Sequence, residues 1–224
     1  MKTLLCFVLG FLSVAALRAG ERESFVSRVE TCEAILREFQ ASPATAIPDD
    51  VLKSAKAIVI TNQVKGGALL GIKAGYGTIM VKKPNGRWSI PVLVKAGDIS
   101  LGLQLGGSAL NTIYLIMNED TPRQLFLGRA NIAIDAQAVA GPHVSEKEGV
   151  NHPLITAPVL VYSKKKGLYA GATIKTGFLS RSDGINRAFY DVAYDLPELL
   201  YGDFVNPVPA EVKPLMDYVT QLSP

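Results

Sequence analysis

Histidine and cysteine are almost absent: the 224 residues hold two of each. His143 and His152 share one polar loop with Glu146 and Glu148. Metal sites rely on fixed ligand spacings or on thiolates, and this loop offers neither, so exposed loop residues are the expectation. Cys6 falls in an N-terminal apolar stretch. That leaves Cys32 as the lone thiol beyond it and excludes an intramolecular disulfide framework. No Gly-x-Ser-x-Gly elbow, Walker loop or dinucleotide fingerprint occurs. Nothing brings Asp98 and Asp135 together, and Asp135 alternates with apolar neighbours as a strand residue does. No catalytic residue, metal ligand or cofactor is assigned, and an enzyme is not expected.

Hydrophobic runs long enough to span a membrane are also lacking. The apolar stretch Leu4 to Leu17 falls short of the ~20 residues a spanning helix needs. Preceded by Lys2 and followed by Arg18 and Ala19, it reads as a secretory signal peptide over residues 1–19, cut after Ala19. Thr3-Leu4-Leu5 before Cys6 are not the small residues that precede a lipid-modified cysteine. The mature chain is therefore expected outside the cytoplasm, periplasmic or secreted, or peripheral on a membrane. Loss of Lys2 and Arg18 takes the 23 basic residues to 21 against 20 acidic, a net charge near +1. Whole-molecule attraction to nucleic acid is then weak, no nucleic-acid partner is expected, and any anion binding must come from local patches.

What is present is a dense run of glycines and one clear hairpin. Asn85-Gly86 lies between two alternating runs and suits a two-residue type I′ turn. Pairing Pro84 with Arg87 sets Trp88 opposite Lys83, Val81 opposite Ile90, Ile79 opposite Val92 and Gly77 opposite Val94. A slip of one residue would turn the apolar set to water, so the register is well specified. Gly67, Gly71, Gly75 and Gly77 share one parity, which in a strand permits sharp coiling or close approach of a neighbour.

Around this centre, Phe25, Val26, Val29, Cys32, Ile35, Leu36 and Phe39 recur at three- and four-residue steps. They predict an amphipathic helix over Ser24–Gln40 with Ser24 as N-cap and Cys32 buried. The polar side is net acidic, unlike the Lys/Arg-rich face of an interfacial helix, so packing on the sheet is expected. A short helix is predicted from Pro48 to about Lys56, and strands at Ile58–Thr61, Asp98–Gly106 and Leu110–Met117. Thr121 is read as N-cap of a helix over Pro122–Leu127, and Ala130–Ala140 as one strand. Pro158–Tyr162 and Leu168–Phe178 make a strand pair joined by a Ser163–Gly167 loop. Helices follow over Asp183–Tyr190 and from a capping-box-like Asp195 to near Gly202. Val212, Leu215, Met216, Val219 and Leu222 suggest a terminal amphipathic helix beyond the proline-rich Asn206–Pro209. The class is α+β: a strongly coiled antiparallel sheet, barrel-like or two-layered, with N-terminal amphipathic helices and short peripheral ones.

The segments Ile47–Ala57, Gly75-Tyr76-Gly77, Pro84–Pro91, Ala140-Gly141-Pro142, Tyr162–Gly171 and Asn186–Tyr190, in that order, resemble the SYLF domain. The resemblance covers about Ser24 to Val205. It implies a single lipid-binding domain over 20–205, with residues 206–224 as proline-rich linker and terminal helix. It also implies binding of membrane phospholipids, phosphoinositides in eukaryotic members. Some members bind actin filaments and carry an SH3 or FYVE domain. Export places this chain where actin is not met, so actin is not an expected partner.

The local features best suited to anionic head groups are Lys164, Lys165 and Lys166, with Arg181 and Arg187 near in sequence, and a second basic tip of Lys82, Lys83 and Arg87. Each clustered cation contributes ~1 kcal/mol at an anionic surface. The competing reading is a cell-envelope protein-interaction or structural module without lipid activity, with these lysines as solvated hairpin tips.

Overall fold

The predicted hairpin register holds along its arms: Gly77 faces Val94 and Ile79 faces Val92. These pairs join β2 (Leu70–Val81) to β3 (Val92–Leu101) in the computed structural model, which describes residues 2–66, 70–101, 108–125, 130–131, 138–142, 157–165, 168–169 and 178–224. The tip differs. Gly86 has φ 79° but Asn85 does not share the positive region, so the turn is not type I′. The Lys83 carbonyl accepts from the Gly86 amide at 2.9 Å, and the Lys83 amide donates to Arg87 O at 2.8 Å. The loop is therefore the three residues Pro84-Asn85-Gly86, with proline pre-set for the first corner and glycine at the left-handed position. Trp88 pairs with Lys82 instead of Lys83. The ladder regains its register between Ser89 and Pro91, where Ser89 Oγ takes the Val81 amide at 3.0 Å.

The other strands are β1 (Ala57–Gly66), β4 (Ser108–Ile116), β5 (Ala130–Asn131), β6 (Ala138–Ala140), β7 (Val159–Lys165), β8 (Leu168–Tyr169) and β9 (Phe178–Arg181). Among the described residues they form one sheet in the order β5-β9-β3-β2-β1-β4-β7-β6, with β8 beside β7. All pairs are antiparallel except β6 with β7. The predicted strand Ala130–Ala140 is thus divided: its first two residues pair with β9 and its last three with β7, at opposite ends of the order. Residues 132–137 lie outside the described ones. Seven flat strand spacings would span about 34 Å, whereas the seven steps from Asn131 to Ala138 reach at most about 25 Å. The sheet must therefore curl its two edges toward each other, the strong coiling expected, although the ladder does not close among the described residues.

Two glycines show how the curl is achieved. A Cβ on Gly75 would collide with the Asn62 carbonyl and Gln63 Cα, and one on Gly77 with the Ile60 carbonyl and Thr61 Cγ2. With no side chain at either position, β2 closes on β1.

Helix α1 runs unbroken over Lys2–Gln40, so Ser24 is not its N-cap. Between Leu17 and Ser24 only Gly20 disfavours helix, by about 1 kcal/mol, too little to end it. From Ser24 on, its predicted stripe is buried at Phe25, Val29, Cys32, Ile35, Leu36 and Phe39. Helix α2 (Asp49–Ser54) buries Val51 and Leu52. Helix α3 (Asp120–Leu125) starts earlier than predicted, because Asn118 Oδ1, not Thr121, takes the capping role by accepting the Thr121 amide at 2.8 Å.

Helices α4 (Asp183–Tyr190), α5 (Leu196–Tyr201) and α6 (Lys213–Leu222) stand at their expected positions. Phe25 of α1 stacks on Phe189 of α4 with ring centroids 3.7 Å apart, and Tyr190 meets both rings edge-on. Val212, Leu215 and Val219 of the terminal segment belong to the same core as α1 and the sheet.

Candidate functional site

The predicted cations fall into three separate sets, the first local in sequence and the other two formed by elements distant in sequence. In the first, β9 hands over to α4 and places Arg181 beside Asp183, Nε to Oδ2 2.7 Å, in an ion pair whose N–H is not aligned as a hydrogen bond. Arg181 Nη2 also lies 3.0 Å from Asp195 Oδ2, and Arg187 Nη1 lies 2.5 Å from Asp195 Oδ1. Asp195 precedes α5 in the expected capping position, but its side chain makes no cap bond. Asp183 does that work, its Oδ1 accepting the Leu196 amide at 2.9 Å. Two guanidinium groups thus face two carboxylates, and the set is balanced.

In the second set, the β2–β3 tip docks on the C-terminal segment. Lys83, only 9% exposed, donates to Gly202 O at 2.6 Å and Asp203 Oδ1 at 2.8 Å. Arg87 reaches Asp203 Oδ2 at 3.2 Å, and Lys82 donates to Pro224 O at 2.6 Å. The Lys83 ammonium, through a hydrogen bond and its charge, holds the Asp203 carboxyl below the usual range. The Trp88 indole is buried beside this set and donates from Nε1 to Ser223 O at 2.7 Å.

In the third set, Lys164 and Lys165 lie in β7, not in the predicted loop, because β7 continues through Lys165 and pairs with β8 at Lys164–Tyr169 and Lys165–Leu168. The Lys164 ammonium lies 2.7 Å from Glu38 Oε1 of α1. Lys166 lies outside the described residues, as do His143, His152, Glu146, Glu148 and Asp135.

Arg22, Arg28 and Arg37 of α1 are engaged by partners on the protein. Arg22 pairs with Glu211 at 2.6 Å and lies over Phe189, Arg28 lies over Tyr76, and Arg37 pairs with Glu33 and lies over Tyr218. Glu21, Glu23 and Glu30 are left exposed. Among the described residues, no three His, Cys, Asp or Glu side chains are placed to hold a metal ion. No described helix is long and apolar enough to cross a membrane. Burial pushes the Cys32 thiol up to about 12, against weaker hydrogen bonding from Thr78, which makes it inert at neutral pH.

A buried polar feature escaped the sequence reading. Asn186, predicted only as a helix residue, is 0% exposed and bonded to the backbone of β3. A carboxamide one helical turn past a strand end was its only signal.

A family profile described as "Ysc84: Las17-binding protein actin regulator" matches residues 97–222, more than half of the chain. The chain belongs to the Ysc84 family. The SYLF resemblance read from the motif order is thereby shown.

Among relatives, "SH3 domain-containing YSC84-like protein 1" of Bos taurus is 28% identical over 83% of this chain and 56% of its own length. "SH3 domain-containing protein PJ696.02" of Schizosaccharomyces pombe is 32% identical over 74% of this chain and 39% of its own. "LAS seventeen-binding protein 3" of Saccharomyces cerevisiae is 29% identical over 75% and 37%. The chain spans about half or less of the length of these curated relatives. No solved structure matches it.

Proposed function

We propose that this Ysc84-family chain is a non-enzymatic module that binds anionic head groups of membrane phospholipids, the class that includes phosphoinositides, through the β7–β8 end of the sheet. Local charge balance supports this reading. The Arg181–Arg187 set is neutralised by two carboxylates, and Lys82, Lys83 and Arg87 are engaged by Asp203 and backbone oxygens. By contrast, Lys164, Lys165 and Lys166 are consecutive in sequence, and Lys164 meets one carboxylate, Glu38. The residual positive charge at one strand end is what an anionic surface attracts within a Debye length. The same reading takes residues 1–19 as a signal peptide removed on export. Mass measurement of the chain recovered from its native compartment tests that, with a start at Gly20 expected.

Sedimentation with neutral and with anionic vesicles, at low and at physiological salt, tests the head-group reading. Salt-sensitive binding to anionic vesicles alone is expected, weakened at least tenfold by reversing Lys164, Lys165 and Lys166 to Glu. Unchanged binding of that variant would sink the assignment.

A second reading, a protein-binding module, has its own observation. Arg22, Arg28 and Arg37 of α1 are each taken up by an acidic or aromatic partner while Glu21, Glu23 and Glu30 stay exposed, which leaves an excess of acidic charge on the outer face, suited to a basic protein partner. A family description and a relative's name that both specify protein binding agree with it. A stoichiometric partner retained by the native chain and lost on Glu23→Lys with Glu30→Lys is the expected result. Retention by that variant would count against the acidic face.

A further inference from the structure

The sheet register assembles a polar site that no segment of sequence contains. Residues directly opposite on neighbouring strands point to the same face. Leu93, Thr78, Ile60, Ile113 and Tyr162 form one such rung across β3-β2-β1-β4-β7, and all five are buried. Met80, Ile58, Leu115 and Leu160 form the next rung on that face and are buried as well. Two residues in the other direction the composition changes completely. The rung reads Lys95, Tyr76, Asn62, Asn111 and Lys164.

Helix α1 lies along this polar rung. The Arg28 guanidinium sits 5.2 Å from the centre of the Tyr76 ring, and the Glu38 carboxylate meets Lys164 at 2.7 Å. The ten helical steps from Arg28 to Glu38 advance about 15 Å. The three strand spacings from β2 to β7 cover about 14 Å. The helix therefore bridges Tyr76 to Lys164, with Asn62 and Asn111 on the floor between its two footholds. Asn111 Oδ1 is enclosed and has no hydrogen-bond partner. A buried acceptor left unpaired is costly and uncommon in folded proteins. Arg28, Lys95 and Lys164 are cations, and among the described residues Glu38 is the carboxylate paired with them, at Lys164.

We propose that this shelf binds an anion that also carries hydroxyl groups, with the anionic group on Lys164 in place of Glu38 and a hydroxyl donating to Asn111 Oδ1. Glu38 is then a built-in competitor that a ligand must displace. The inference rests on the head-group reading in sharing Lys164, and adds the hydroxyl as the second determinant. Glycerol phosphate has the required chemistry, whether as the head group of phosphatidylglycerol or free in solution.

The test is calorimetric titration of the full chain with free glycerol 3-phosphate and with inorganic phosphate, beside sedimentation with phosphatidylglycerol and with phosphatidylcholine vesicles. Glycerol phosphate is expected to bind about tenfold more tightly than inorganic phosphate, the factor one hydrogen bond supplies. Asn111→Leu, nearly isosteric, should abolish that preference, and Glu38→Gln should tighten both anions. Glu38→Gln removes an exposed charge and keeps the proposal testable if Asn111→Leu fails to fold. Binding of free glycerol phosphate with these variant effects, but no vesicle binding, would uphold the shelf and overturn the head-group reading. Vesicle binding with no glycerol phosphate preference and no Glu38→Gln effect would overturn the shelf alone. No binding of any probe would overturn both.

Discussion

Asn186 clasps the backbone of Leu93 from the side, its Oδ1 accepting the Leu93 amide at 2.8 Å and its Nδ2 donating to the Leu93 carbonyl at 2.9 Å. β9 ends at Arg181, opposite Val94, so the next rung on that edge lacks a strand residue. The chain turns into α4 there, and a side chain with the donor and acceptor of a peptide completes the ladder. A third bond, Nδ2 to Ser182 O at 3.1 Å, ties the helix start to the same point.

Replacing Asn186 with Ala leaves both Leu93 groups buried and unpaired. The expected loss is about 2–4 kcal/mol of unfolding free energy, read from urea denaturation. A loss below about 1 kcal/mol would mean that the ladder does not depend on this residue.

Gly75→Ala places a methyl against the Asn62 carbonyl and Gln63 Cα, which are backbone atoms and cannot step aside. Overpacking of this kind costs about 1–3 kcal/mol. Gly184→Ala in α4 meets nothing within 4 Å and should be neutral or stabilise by up to about 1 kcal/mol. Thermal midpoints of the two variants should divide accordingly, and an undisturbed Gly75→Ala would refute the close approach of β2 to β1.

The single tryptophan makes the C-terminal contact visible. Trp88 and Lys82 hold Ser223 O and Pro224 O, and beneath them an apolar cavity of about 10 Å³ is lined by Leu36, Leu52, Trp88 and Leu222. Deleting Ser223 and Pro224 should shift the tryptophan emission to longer wavelength and raise its quenching by acrylamide. Unaltered emission would mean that the indole is shielded without the strap.

Cys32 predicts alkaline lability. Its thiol titrates at about 12 when folded against 9.0 ordinarily, so its stabilising contribution is complete below pH 9 and is lost as pH rises toward 12. In that window the unfolded state releases the proton first, with a slope of roughly 1.4 kcal/mol per pH unit. Tyr190, pushed up by burial, acts in the same direction. The native chain should resist a thiol reagent at pH 8 and react once unfolded. Rapid reaction of the folded chain would contradict the burial of Cys32.

Local pattern determined the apolar stripe of α1, the helices α4, α5 and α6, and the register of the β2–β3 arms, because each is set by neighbours a few residues away. The motif order was enough to identify the family. What sequence could not settle was anything closed over distance. Glu38 meets Lys164 across 126 positions, Asp203 meets Lys83 across 120, and Glu211 meets Arg22 across 189. Those pairings decide which predicted cations keep a net charge. They are invisible in sequence because a lysine reads the same whether a carboxylate waits across the fold or not. The division of Ala130–Ala140 between the two ends of the sheet, and the polar rung beneath α1, have the same origin. Local propensity specifies each strand, but only the coiled sheet specifies which strands become neighbours.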